Sequence, residues 1–158
     1  MSEASTALLV TPNGYNPHRF DAETRRLLRA TIDWFESRGK RKLAEDYHAK
    51  VFYADFLEFA GKEGLFSTFV TPAANADGNP DKRWDTSRIA ELSEILGFYG
   101  LNYWYPWQVT ILGLGPVWQS GNEVARKRAA EALDAGGSPR SDCPKRTTAR
   151  ISMRQTWY

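Results

Sequence analysis

The sequence contains a single cysteine, Cys143, and two histidines, His18 and His48, that lie far apart. One cysteine excludes an internal disulfide and a multi-cysteine zinc site, so no metal centre is predicted. No uninterrupted apolar run reaches the length of about 20 residues that a transmembrane helix needs, and no membrane span is expected. The first residues, Met1 to Ala4, lack the basic start of a secretory signal, which favours a cytoplasmic protein.

The chain also has little excess of either charge. Its 158 residues include 21 basic and 19 acidic side chains, and 42% of them are hydrophobic, as in soluble globular proteins. Residues 138–158 hold five of the bases and one acid, whereas residues 1–137 carry slightly more acids than bases. The excess of positive charge therefore belongs to the last residues, and no nucleic-acid partner is predicted for the rest.

Apolar residues recur at helical spacing over much of residues 21–137. A first helix is expected to begin after Asp21, which can cap it, and to be interrupted at Gly39. A second helix should follow and end at Gly61 or Gly64, because glycine commonly terminates helices.

After a loop predicted for residues 71–85, a further helix is expected to begin near Asp85 or Thr86. Pro106 suits the first turn of the next helix, and Pro116 is expected to break or restart it. The face of the helix after Asp85 that is expected to be buried comprises Ile89, Leu92, Leu96 and Tyr99.

The segment Ser120-Gly121-Asn122-Glu123 fits a capping box before a last helix of residues 122–135, which Gly136 and Gly137 should end. No alternating pattern predicts a strand. The sequence therefore predicts an all-α fold, a helix bundle over residues 21–137. Residues 1–20 are expected to form a flexible lead-in and residues 138–158 an irregular basic tail.

Three stretches carry a family resemblance. Residues 56–66, followed by Pro72, resemble an amphipathic helix that ends in Gly-Leu, and residues 88–100 resemble the helix after it. Residues 111–123 are similar to an apolar stretch, a proline and a Gly-Thr-Glu motif that precede a basic helix. Over about residues 20–137 the chain resembles the N-terminal helical domain of the acyl-CoA dehydrogenase family of flavoproteins.

The sequence departs from that family at two points. Val124-Ala125-Arg126 stands where the family often has Glu-Gln-Lys, and residues 75–78 replace its common Tyr-Gly-Gly loop. These departures indicate a divergent subfamily, whose acyl substrate the sequence does not identify.

The resemblance implies an FAD-dependent oxidoreductase that introduces an α,β double bond into an acyl-CoA thioester. That reaction needs a base for the α-proton and a flavin for the β-hydride. In the family the base and most of the flavin site lie in later domains. We therefore assign no catalytic or cofactor-binding residue and expect this chain alone to be inactive and to bind no FAD. Its electron-transfer partner is not identified. The family commonly forms dimers and tetramers, largely through its later parts, so no oligomeric state is carried over to this chain.

Aromatic side chains are dense in residues 101–119. By resemblance, Tyr103, Trp104 and Trp107 are expected to line the substrate pocket, and the alternative is that they belong to the core or to an interface left bare by the missing domains. Acidic residues are weaker candidates for a base, and those expected to have solvated or capping roles instead are Glu58, Glu63, Glu91, Glu94 and Glu123. Of these, Glu91 and Glu94 should lie on the solvated side of their helix.

Residues 138–158 can be interpreted as out-of-frame translation. Reading from the third base of each codon, the genetic code permits a Gly-Leu-Ser-Glu segment like the one that opens the family's β domain. Its leucine is forced, because the last base of Asp142 and the first two of Cys143 always encode leucine. The chain would then be a truncated gene product, and the alternative is a genuine basic tail.

A second class of function stays open. The chain could be a non-catalytic helical module that binds a partner protein through its aromatic face. Nucleic-acid binding through the basic tail is a weaker third interpretation.

Overall fold

The computed structural model describes residues 12–51 and 53–136. Helices account for most of them, and these described parts contain no strand, which confirms the predicted all-α class. Two short 3-10 turns span Pro12–Gly14 and Ala73–Asn75. The α-helices are α1 (Ala22–His48), α2 (Ala54–Glu63), α3 (Leu65–Val70), α4 (Thr86–Tyr99), α5 (Leu101–Gln119) and α6 (Glu123–Asp134).

Helix α1 begins where its cap predicts. The Asp21 carboxylate accepts the backbone N–H of Thr24 at 2.9 Å and the Thr24 hydroxyl at 2.7 Å. The predicted interruption at Gly39 is a kink, because Gly39 has φ +75° while helical hydrogen bonding resumes and continues to His48.

The second predicted helix is divided in two. The chain leaves α1 at Ala49 and enters α2 at Ala54. Helix α2 ends at Gly64, which caps it in the left-handed conformation with φ +69°, whereas Gly61 lies inside the helix.

Helix α4 confirms its predicted start but not all of its buried face. Asp85 caps it by accepting the backbone N–H groups of Ser87 and Arg88. Its buried residues are Arg88, Glu91, Leu92, Ile95 and Leu96, whereas Ile89 and Tyr99 are only partly buried. The expectation that Glu91 faces solvent is wrong, because side chains from the residues before α1 cover it.

Both proline expectations for α5 are wrong. Pro106 is the sixth residue of a helix that begins at Leu101, and the helix continues through Pro116 to Gln119. Each proline removes one backbone hydrogen bond, yet the helix, which packs against α4, continues through both. Gly100, at the junction with α4, sets the start instead.

The cap of α6 is also shifted from the prediction. Asn122, rather than Ser120, is the cap and accepts the backbone N–H of Ala125 at 3.0 Å, whereas Ser120 Oγ accepts only the N–H of Asn122, at 3.4 Å. Glu123 is exposed and pairs with Arg126 instead of closing a capping box. Gly136 ends the helix region with φ +75°, whereas Gly137 and residues 138–158 lie outside the described part of the chain.

The core lies where the helices α1 to α5 pack together. Phe35 of α1 stacks on Tyr99 of α4 with ring centroids 4.4 Å apart and meets Tyr103 of α5 edge-on at 5.0 Å. Such aromatic contacts add to the stabilisation that apolar burial provides. Among the residues that the structure describes, no helix combines the length and apolar character needed to cross a membrane.

Candidate functional site

Two of the three predicted pocket residues lie inside the core. Tyr103 is buried among the rings of Trp34, Phe35 and Phe56, at centroid distances of 5.0 to 6.0 Å. It therefore contributes to the contact between α5 and α1.

Trp107 is also fully buried, one turn further along α5. Its ring lies 5.2 Å from that of Phe66 and 6.3 Å from that of Phe69, and its Nε1–H donates to Ser93 Oγ at 2.9 Å. The third predicted residue, Trp104, is only partly buried. Trp104 is thus the only one of the three that reaches the surface to any extent.

The opposite face of α5 is apolar as well, but it faces solvent. Leu101, Tyr105, Val109 and Leu112 are 67%, 58%, 47% and 63% exposed. We call these four residues the α5 stripe. Their spacing of four, four and three residues places them on one side of the helix.

Helix α5 contributes no charged residue to this surface. All 19 residues of α5 are uncharged. Apolar side chains scattered singly over a surface are ordinary, whereas a row of large ones is typical of a binding surface. The α5 stripe therefore has the character of a surface that contacts another apolar group.

A groove runs beside the α5 stripe, between α2, α3, α5 and α6, with a volume of about 560 Å³. That volume lies within the range of small-molecule sites, about 300–1,000 Å³. Tyr105 and Val109 belong to both the stripe and the groove, so the two surfaces are continuous. The other walls are mainly apolar and include Leu57, Phe66, Leu114 and Leu133.

The polar groups at the groove are few and neutral. The Thr110 hydroxyl already donates to the Pro106 carbonyl at 2.7 Å, which leaves its oxygen as an acceptor. The groove lining includes no acidic or basic side chain. This arrangement can hold an apolar group, but it brings no proton-transferring carboxylate to that group.

The five glutamates considered as bases lie elsewhere. Glu58, Glu94 and Glu123 are exposed, and Glu63 pairs with Arg26 of α1 at 2.7 Å. Glu91 is buried and accepts hydrogen bonds from Tyr15 and Arg19.

Burial, and then the hydrogen bond to Glu91, raise the pKa of the Tyr15 phenol far above its usual range. Tyr15 is therefore a neutral donor to the carboxylate. The role of this pair is to hold the chain before α1 in place. Among the described residues there is also no cluster of three or more His, Cys, Asp or Glu side chains that could hold a metal ion.

Sequence reasoning did not identify the α5 stripe or the groove as surfaces. The signal for the stripe was present, because Leu101, Tyr105, Val109 and Leu112 share a helical face in a segment without charge. The groove has no such signal, since it forms only where four helices meet. No protein-family model, curated protein or solved structure matches this chain.

Proposed function

We propose that this chain supplies the N-terminal helical part of an FAD-dependent oxidoreductase similar to the acyl-CoA dehydrogenases. The intact enzyme would desaturate the α,β bond of an acyl-CoA thioester in the cytoplasm. The order of the helices and residues 111–123 support this proposal by resemblance. The observation that carries it is the α5 stripe, an uncharged apolar surface on the helix that contains the start of that segment.

In the proposed enzyme the α5 stripe packs against the apolar part of the acyl site. FAD would accept the β-hydride there when bound by the later domains. The stripe would exclude water from the acyl chain, with Leu101, Tyr105 and Leu112 providing apolar contacts. Trp104, which is partly buried next to Tyr105, would border this surface, whereas Tyr103 and Trp107 would support it from the core.

The coding DNA provides the most direct test. The frame that begins at the third base of each codon is to be read from the codon of Ser138 onward. We expect it to encode a flavin-binding β domain followed by a second helical domain. A gene with no such sequence in any frame downstream of that codon would refute the proposal.

A binding experiment then tests the surface. We expect the downstream polypeptide, expressed together with this chain, to form a complex that retains FAD. Leu112→Glu should abolish the complex, because it places a charge within the stripe. Val124→Glu is the matched control, since Val124 is 61% exposed on α6 and lies outside the stripe. Equal losses in both variants would contradict the assignment of the surface.

The α5 stripe also favours a second function, that of a non-catalytic module that binds a partner protein. This function is preferred if the downstream DNA encodes no flavoprotein body and the stripe still mediates association. Light scattering of the purified chain at increasing concentration measures association of the exposed face. Leu112→Glu, but not Val124→Glu, should then suppress it.

A further inference from the structure

Residues 12–20, which we call the strap, precede α1 in the chain and contact both α1 and α4. Tyr15 is 2% exposed, and its hydroxyl donates to Oε1 of Glu91 in α4. Arg19 donates to the second oxygen of the same carboxylate, Oε2. One buried side chain of α4 therefore binds the strap at two points.

A side chain of α1 binds two backbone carbonyl groups of the strap. Arg29 donates to the carbonyl oxygen of Pro12 at 3.1 Å and to that of Tyr15. The backbone hydrogen bonds of Tyr15 to Pro12 and of Phe20 to Pro17 are both local turns. The contacts of the strap with the helices thus depend mainly on side chains.

Glu91 is only 8% exposed, and its hydrogen bonds come from the strap. If the strap left the surface, this buried carboxylate would lose both partners and would need water instead. The nearest acid on the same helix is Glu94, which is exposed. Order in the strap is therefore coupled to the charge of one residue in α4.

We propose that the strap is a latch fastened by Glu91, which opens as a unit while the helices stay folded. Local opening of this kind is expected where few backbone hydrogen bonds join a segment to the body. The proposal does not depend on the flavoprotein function, because the α5 stripe takes no part in these contacts.

Trypsin cleavage after Arg19 measures the opening, since Arg19 is a substrate site within the strap and its side chain is 64% exposed. Cleavage requires the strap to leave the surface and follows the population of the open form. In the full chain, Glu91→Gln should accelerate cleavage after Arg19 by about tenfold, because it removes the charged acceptor of two hydrogen bonds. Glu94→Gln is the control and should stay within about twofold of the original chain.

Cleavage after Arg25, inside α1, reports unfolding of the helices in the same digest. The proposal is overturned if Glu91→Gln leaves the rate after Arg19 unchanged, or if it raises the rates after Arg19 and Arg25 equally. Tyr15→Phe removes one donor and keeps the ring, so it should accelerate cleavage after Arg19 by about threefold or more. An unchanged rate in that variant overturns the proposal even if Glu91→Gln does not fold.

Discussion

Gly61 of α2 lies directly against Gly136, beyond the end of α6. A Cβ atom built on Gly61 would lie 2.9 Å from the carbonyl oxygen of Gly136 and 3.0 Å from its Cα. The two helices can approach this closely only because neither residue has a side chain. Both glycines line the groove, so this contact determines how α2 and α6 meet beside α5.

Gly61→Ala should therefore destabilise the fold. The added methyl group meets backbone atoms, which cannot move as a flexible side chain would, and overpacking of this kind costs about 1–3 kcal/mol. Urea unfolding followed by circular dichroism measures the change in the free energy of unfolding.

Gly97→Ala is the matched control for that substitution. Gly97 lies inside α4, and nothing lies within 4 Å of a Cβ built on it. Alanine there should stabilise the chain by about 0.5–1 kcal/mol, because it favours the helix over the unfolded chain. Equal effects at the two positions would show that helix propensity, not the close approach, controls the result.

Arg88 is a fully buried cation near the start of α4. It donates to the Asp81 carbonyl at 2.9 Å and lies 4.7 Å from the ring of Phe69, but its Nε and Nη2 have no hydrogen-bond partner. Burial lowers the pKa of this guanidinium. Its charge is thus kept in the core with incomplete compensation.

Arg88→Met should consequently cost less than about 1 kcal/mol or stabilise the fold, because methionine fills similar space without a charge. Arg88→Ala is expected to cost about 3 kcal/mol, since it leaves a cavity beside Phe69. Thermal unfolding of both variants separates the two effects. A larger loss in the methionine variant than in the alanine variant would contradict this account of Arg88.

Ser93 joins α4 to α5 through a short chain of hydrogen bonds. It accepts the indole N–H of Trp107 at 2.9 Å and donates to the Ile89 carbonyl at 2.7 Å. Ser93→Ala should cost about 1–3 kcal/mol, because the buried indole N–H loses its acceptor. Adding Trp107→Phe to Ser93→Ala removes that unpaired donor, so the double variant should lose less than the sum of the single losses in urea unfolding.

Asp21 should make the stability depend on pH. Burial alone would raise the pKa of its carboxyl, but hydrogen bonds from Thr24 and Arg83 outweigh this effect and hold the pKa well below the usual range. Because the folded-state pKa is lowered, the stabilisation is present above the ordinary value of about 3.9 and is lost as the pH falls below it.

Asp21→Asn tests that expectation, since asparagine also caps helices but cannot form the ion pair with Arg83. The variant should be less stable by about 1 kcal/mol near neutral pH, and the difference should shrink as the pH falls through the acid range. Asp33→Asn, at an exposed position of α1, serves as the control. A difference that does not vary with pH would exclude the charge of Asp21 as its cause.

Local signals in the sequence predicted several features correctly. Asp21 and Asp85 cap α1 and α4, and Gly64 ends α2, because each acts on backbone groups within a few residues of itself. The prolines of α5 were misread for a related reason. Pro106 favours a first helical turn and Pro116 a helix break, yet α5 runs from Leu101 to Gln119 through both.

The sequence by itself determined the all-α class, the starts of α1 and α4 and the uncharged composition of α5, since these follow from spacing and neighbouring residues. Only the tertiary structure decided which face of α5 is buried, because both faces are apolar and α4 covers just one. It also decided the burial of Glu91, whose partner Tyr15 lies 76 residues away along the chain. Contacts between residues so far apart in the chain produce no periodic pattern in the sequence.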